Sequence, residues 1–267
     1  MNIAIVGRGK VGHALHAALV ADGTHHTTLH GKRLSPTALR EANLVILAVP
    51  DGAIAKAASS VAKHLDARAA VVHCAGARTT DELSACSAVG AAVGVMHPHV
   101  SFASVRHPPD LAGTTFVANG DPKALRIVRE VARACASRFV KAETSNPTYH
   151  GAAAIAANGT AALGYFAVRL LVHLGFSQRN AEETVGGIVR TVGDNIANAG
   201  VPKALTGPVV RGDVDTVSRH RQAIRRTDRG ALAAYEALLP VIIDTALAAG
   251  LPRNKASALR KLTRTKR

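Results

Sequence analysis

Apolar residues in the first half of the chain come in short runs without polar alternation. Longer stretches separate them, in which apolar positions recur every three to four residues. The runs at 3–6, 27–30, 44–49, 70–74, 92–95, 115–118 and 138–140 predict strands. Most of them are short and lack polar alternation, which predicts burial on both faces, as in a parallel sheet flanked by helices. Between the first two runs, Val11, Leu15 and Leu19 fall on one helical face at i, i+4 and i+8. Asp121-Pro122 predicts the start of a helix reaching Cys135, with Asp at the cap and Pro in the first turn. Strand and helix alternating in this way read as stacked βαβ units, an α/β fold with a doubly wound, mainly parallel sheet.

After Asn146-Pro147 the strand-like runs stop and Ala-rich helical patterns follow one another, at 148–174, 177–199, 213–226 and 229–249. The stretch 201–212, with Pro202 and Pro208, is expected to be a long irregular loop, a kind of segment that is often functional. An all-α second domain is therefore expected, with the boundary at 146/147.

Composition narrows the setting. The 267 residues are 48% hydrophobic and 19% charged, which excludes disorder as the main state. Lys and Arg outnumber Asp and Glu by 33 to 18, a formal charge of +15 that favours a partner bearing phosphates or carboxylates. Seven of the cations and no acid fall in residues 253–267, so this segment reads as a basic tail on a moderately basic body. The three cysteines, Cys74, Cys86 and Cys135, have no C-x-x-C spacing, which speaks against a disulfide framework and a thiolate metal site. No uninterrupted apolar run reaches the ~18 to 20 residues of a membrane span, and the short apolar start runs straight into glycines. A cytoplasmic protein without a membrane partner is the expectation.

Gly7-Arg8-Gly9-Lys10-Val11-Gly12 is a complete G-x-G-x-x-G directly after a strand and at the opening of a helix. In that context the first Gly permits the turn, the second lets the main chain approach a pyrophosphate, and the third lets helix and strand pack closely. The helix N-terminus then faces the anion. The acid that would hold the ribose of NAD is expected about 20 residues later. His30-Gly31-Lys32-Arg33 stands there instead. Lys32 and Arg33, together with Arg8 inside the turn, can neutralise a 2′-phosphate, so NADP is expected over NAD. Two further strand ends face the same expected crevice. Ala48-Val49-Pro50 could touch the nicotinamide ribose, with Asp51 either joining them or capping the next helix. Cys74-Ala75-Gly76, after His73, would leave room for a nicotinamide ring.

These motifs, with His97-Pro98, resemble a Rossmann-like group related to pyrroline-5-carboxylate reductase, ketopantoate reductase and deazaflavin-dependent NADP oxidoreductase. Tyr149-His150-Gly151-Ala152-Ala153, Asn158, and the run Leu205-Thr206-Gly207-Pro208-Val209-Val210-Arg211-Gly212-Asp213 with Thr216 and His220 are similar to one bacterial branch of it. Its members are described as NADP-dependent oxidoreductases with a C-terminal domain of unknown function. The resemblance implies a Rossmann domain (1–146), a helical substrate and dimerisation domain like the C-terminal domain of 6-phosphogluconate dehydrogenase (147–252), and a homodimer. It does not carry a lysine acid over, because the helix predicted at 148–174 contains no Lys. The Gly-Thr-Thr loop of pyrroline-5-carboxylate reductases is replaced by Thr206-Gly207-Pro208, which argues against proline metabolism.

Hydride transfer asks the protein for positioning, exclusion of water and a proton on the substrate oxygen or nitrogen. His150 and Asn158, two helical turns apart, and His97 at a strand end are the candidates for that proton. Thr206 and Arg211 are candidates for holding a small anionic carbonyl or imine substrate, with Asp213 as helix cap. His97-Pro98-His99 lacks supporting acids for a metal. A non-catalytic NADP(H)-binding or sensing protein is the competing class. Nucleic-acid binding through the tail and Arg219, Arg221, Arg225, Arg226 and Arg229 is disfavoured, since the chain is 3% aromatic.

Overall fold

The computed structural model describes residues 1–263. It divides into two compact units, Met1–Ala154 and Ile155–Arg267. In chain order the first unit holds β1 (Asn2–Val6), α1 (Lys10–Asp22), β2 (His26–His30), α2 (Pro36–Glu41), β3 (Leu44–Leu47), α3 (Ile54–Ala62), β4 (Ala70–His73), α4 (Ser84–Ala88) and β5 (Ala92–Pro98). It continues with β6 (Thr115–Gly120), α5 (Pro122–Ala134), β7 (Arg138–Lys141) and α6 (Pro147–Ala154).

The seven strands form one sheet in the order β2-β1-β3-β4-β5-β6-β7. β1 to β5 run parallel, β6 turns antiparallel to β5, and β7 follows β6. Successive side chains of a strand face opposite sides, and here both sides are core. Ile3, Ile5, Leu44, Ile46 and Val72 pack with Leu15, Leu19, Val128 and Val131 of α1 and α5. Ala4, Val6, Val45, Leu47 and Val71 pack with Leu39, Ile54, Val61 and Cys86 of α2, α3 and α4. That double burial is the reason the inner strands show no polar alternation; the edge strands β2 and β7 hold no buried residue. The strand order reverses between β1 and β3, and ligands of open α/β sheets bind outside the carboxyl ends of the strands at such a switch point.

Asp121 caps α5 in position only. Its side chain makes no bond to the helix; instead Oδ2 accepts from the Val93 N–H at 2.8 Å, tying the helix start to β5.

In the second unit, Ile155–Gly159 form a π-helical turn, followed by α7 (Thr160–His173), α8 (Gln178–Ala199), α9 (Val201–Ala204), α10 (Pro208–Arg211), α11 (Val214–Thr227), α12 (Arg229–Ala248) and α13 (Arg253–Thr263). Ser177 and Asp213 cap α8 and α11 by accepting the N–H of Asn180 and Thr216. The core of this unit joins Val209, Val217, Leu239, Ile243, Leu251 and Leu259. Arg221 of α11 pairs with Glu236 of α12 beside it.

Three expectations change here. The stretch 201–212 is not irregular, since each of its prolines opens a short helix, Pro202 in the first turn of α9 and Pro208 in that of α10. The segment read as a basic tail forms α13, because Ala256 and Leu259 fall on one face and are buried in the core of the unit; residues 264–267 lie outside the described residues. The division falls at 154/155 rather than 146/147, because Tyr149 and His150 of α6 pack on side chains of the first unit. Two helical stretches, Pro147–His173 and Arg229–Ala248, are long and apolar enough by composition to cross a membrane, with mean hydropathies of 1.4 and 1.6. The second contributes Leu239, Ile243 and Ala246 to a protein core.

Candidate functional site

The glycine turn sits at the switch point, and its three glycines have different reasons. Gly7 has φ +123°, and a Cβ there would lie 2.1 Å from the Ala48 carbonyl oxygen. A Cβ on Gly12 would lie 1.9 Å from the Gly7 oxygen. Both are therefore demanded by the protein's own packing. Gly9 is not: a Cβ there would meet nothing within 4 Å. It stands in the N-cap position of α1, with no side-chain cap and no acid in the first turn, so the helix N-terminus opens onto free space. That is the arrangement an anionic pyrophosphate fits.

Three cavities surround this turn. On one side, Gly9, Lys10, Val11, Ala48, Val49, Pro50, Cys74 and Ala75 line a groove of about 320 Å³. Burial pushes the Cys74 thiol up to about 12, so it is a neutral packing group and not a nucleophile. Asp51 opens a 3-10 turn and lies 3.9 Å from the Arg78 guanidinium. On the other side, Val6, Leu34, Val49, Ala53 and Ala57 form the apolar wall of a cavity of about 720 Å³ that Lys56 also borders. Beside it, Arg8, His30, Lys32, Arg33 and Ser35 line a cavity of about 570 Å³. The Arg8 side chain passes over Gly31 and reaches the Leu29 carbonyl at 3.5 Å. All three cations named from the sequence thus border one cavity, and no carboxylate does among the described residues. The donor set fits a phosphate monoester on a ribose and would not hold the bare hydroxyl pair of NAD by a carboxylate.

At the carboxyl ends of β4 and β5 a second set of side chains converges within the first unit. His73 is fully buried. Its Nε2 bonds the Thr79 carbonyl at 3.0 Å and its Nδ1 accepts from the Ala75 N–H at 3.3 Å, so it pins the turn that presents Cys74 and Ala75. Burial lowers its pKa, keeping the ring neutral. His97 Nδ1 lies 2.7 Å from the Tyr149 hydroxyl, and the same hydroxyl lies 3.3 Å from His99 Nδ1. The His150 ring is 5.7 Å from that of His97, and its Nε2 is buried with no hydrogen-bond partner among the described residues. Burial, and then the charges of His99 and His150, push the His97 pKa down to about 4, with Asp51 opposing. A neutral imidazole, a phenol and a spare ring nitrogen therefore share one place.

Gly76 makes that cluster possible. A Cβ on it would lie 2.8 Å from His150 Cε1 and 2.9 Å from His97 Nδ1. The space over Gly76 expected for a nicotinamide ring is taken by these two rings, while Cys74 and Ala75 remain on the groove.

Tyr149 and His99 were not among the candidates read from the sequence. The contacts that join them span some fifty residues; in the sequence His99 stood out only as the second imidazole of His97-Pro98-His99, and Tyr149 only as part of the run that begins the second-half resemblance. Asn158 lies exposed in the π turn of the second unit, so the α-helical spacing assumed between residues 150 and 158 does not apply. Thr206 and Arg211 are exposed in the second unit, near the short helix α10. Asp213 is the cap of α11, and the Arg211 carbonyl accepts from Lys255 Nζ at 3.1 Å.

The fold and the glycine turn define a Rossmann-type α/β chain. Residues 114–240 match the family model described as a domain of unknown function (DUF2520). The resemblance read from the sequence thus holds for both the Rossmann fold and the domain of unknown function. A search of curated proteins finds no match. Among solved structures, the chain is similar to protein TM1727 from Thermotoga maritima, at 23% identity and TM-score 0.64, over 92% of this chain and 98% of that one. It is similar to BF3122 from Bacteroides fragilis, assigned as an NADP oxidoreductase, at 20% identity and TM-score 0.64, over 91% and 97%. A third is the pyrroline carboxylate reductase of Plasmodium falciparum with NADP bound, at 13% identity and TM-score 0.62, over 94% and 98%. These likenesses establish the fold.

Proposed function

We propose that the chain is an NADP(H)-dependent oxidoreductase acting on a small anionic carbonyl or imine substrate. The observation that carries this reading is the pairing, within one unit, of an open glycine turn with a ring cluster at neighbouring strand ends. The bound nicotinamide would supply or accept a hydride. Gly9 and the first amides of α1 would hold the pyrophosphate, with Arg8, Lys32 and Arg33 on the 2′-phosphate and Ala48, Val49, Pro50, Cys74 and Ala75 along the groove. The apolar wall of Val6, Leu34, Val49 and Ala57 suits an adenine.

The chain's own part in the chemistry is the proton. The Tyr149 phenol can donate to only one neighbour at a time, so it gives its proton to one of His97 and His99 and accepts from the other. Burial raises the Tyr149 pKa and lowers that of His97, so both are neutral at pH 7. No charge is buried when the phenol gives its proton to His97 Nδ1 only if, in the same relay, His97 releases its Nε2 proton to the substrate and the phenol regains a proton from His99. His150 Nε2 offers a bond to a substrate oxygen or nitrogen. The anionic class rests on residue type alone: the second unit offers an arginine and a threonine, Arg211 and Thr206, of the kind that binds a carboxylate.

The test is NADPH oxidation over a panel of 2-oxo acids and cyclic imines. Tyr149→Phe and His97→Gln should lose ~10²-fold or more in turnover with coenzyme affinity unchanged. Unchanged turnover in both would remove the proton site. Coenzyme binding with no turnover on any panel member would favour the sensing reading.

We also propose a homodimer through the helical unit. No residue of α7 and only Ala181 of α8 is buried. Ile188, Val192 and Ile196 form a stripe on α8 at 59%, 44% and 43% exposure, and such a stripe suits a second copy of the same face.

A further inference from the structure

The basic cavity contains a side chain that the cofactor reading leaves without a task. His30, the last residue of β2, lines it together with Arg8, Lys32 and Arg33. Its backbone is held twice: it pairs with Val6 in the parallel ladder, and its carbonyl accepts from the Gly7 N–H at 2.9 Å. Nε2 lies 2.9 Å from Thr28 Oγ1, two residues back on the same face of the strand. Among the described residues no hydrogen bond engages Nδ1.

The groups facing this ring are few. Arg8 comes from the glycine turn, Thr28 from β2, Lys32 and Arg33 from the loop after it, and Ser35 from the cap of α2. None is acidic. Burial, and then the Arg8 guanidinium, lower the His30 pKa, so the ring is uncharged at neutral pH while the cavity holds only cations. A ribose phosphate monoester, whose second ionisation is near pH 6, would enter as a dianion. Opposite charge at contact distance favours the protonated imidazole.

Resting on the NADP reading, we propose that His30 is a proton-linked cation for the 2′-phosphate, neutral in the free protein and protonated in the complex. The only bond formed is N–H on the ring, and the proton comes from solvent. NAD brings no anion to this cavity and so draws no proton. His30 thereby adds selectivity for the phosphorylated coenzyme without placing a fourth fixed charge beside Arg8, Lys32 and Arg33.

Titration calorimetry of the full chain with NADP+ at pH 7, in buffers of different ionisation enthalpy, counts the protons taken up. The expected result is uptake of about half a proton or more per NADP+ and none per NAD+. His30→Gln should abolish the uptake and weaken NADP+ binding about tenfold, with NAD+ affinity unchanged. In the unmodified chain, ring-nitrogen spectra should show His30 as neutral imidazole when free and as imidazolium with NADP+ bound, a readout that does not depend on the variant folding. NADP+ binding without uptake, uptake that persists in His30→Gln, or a ring that stays neutral would each overturn the role of His30. Failure of NADP+ to bind would instead overturn the cofactor reading on which it rests.

Discussion

The Tyr149 hydroxyl stands between two imidazoles, 2.7 Å from Nδ1 of His97 and 3.3 Å from Nδ1 of His99. His97 is partly buried and His99 is exposed, so the phenol lies on a path from the interior of the unit to solvent. The burial that keeps His97 neutral has a measurable consequence. With a folded pKa of about 4 against an unfolded value near 6.5, the unfolded chain binds more protons between those limits. The stability due to neutral His97 is therefore complete above pH 6.5 and is lost as pH falls towards 4. Denaturant melts of wild type and His97→Gln should diverge over that window, with a slope difference of at most ~1.4 kcal/mol per pH unit. Parallel curves would show that His97 titrates as in water.

The three glycines of the turn predict two distinct failures. Gly7→Ala and Gly12→Ala drive a Cβ into backbone oxygens and should each lower stability by about 3 kcal/mol or more, seen in thermal melts. Gly9→Ala meets no protein atom, so it should fold with nearly the wild-type melting temperature while losing about tenfold or more in NADP+ affinity. A Gly9 variant that binds as well as wild type would move the pyrophosphate elsewhere.

Gly76 makes a further separation. A side chain there would displace the rings of His97 and His150, whereas the groove lined by Cys74 and Ala75 does not include it. Gly76→Ala should therefore lower turnover on any productive panel substrate by about tenfold or more with coenzyme affinity within about twofold of wild type, measured by steady-state kinetics and fluorescence titration.

The stripe on α8 predicts the assembly. Ile188→Glu with Val192→Glu places two charges on a face that is already exposed, so folding should be unaffected. Light scattering should then report a monomer where the wild-type chain gives a dimer. A wild-type monomer would leave the stripe without a partner.

The inner strands β1, β3, β4, β5 and β6 were legible in the sequence because burial on both faces writes a strand as an apolar run with no competing pattern; β2 and β7, at the sheet edges, hold no buried residue and were legible only from their β-branched and aromatic residues. The glycine turn was legible because its spacing is a local pattern of six residues directly after a strand, even though the atom that demands Gly7, the Ala48 carbonyl oxygen, comes from β3's end. The ring cluster was not: His97, His99 and Tyr149 meet across β5 and α6, and nothing in either segment announces the other. Gly76 reads as an ordinary strand-end glycine until the two rings that need its missing side chain are in view. α13 was hidden by composition, since its cations mask the spacing of Ala256 and Leu259, which fixes it to the core. Lys56 was overlooked because it is the one charged residue of α3, with no motif around it, and only the fold brings it to the cavity beside Arg8.

The central claim, that the glycine turn and the cations Arg8, Lys32 and Arg33 hold NADP, is tested most directly by titrating the full chain with NADP+ and NAD+ in parallel. A double variant Lys32→Glu, Arg33→Glu serves as the control. The account predicts that NADP+ binds about tenfold or more tightly than NAD+ and that the variant loses this preference while staying folded. Binding of neither coenzyme to the folded wild-type chain, or equal affinity for both that the variant leaves untouched, would contradict it.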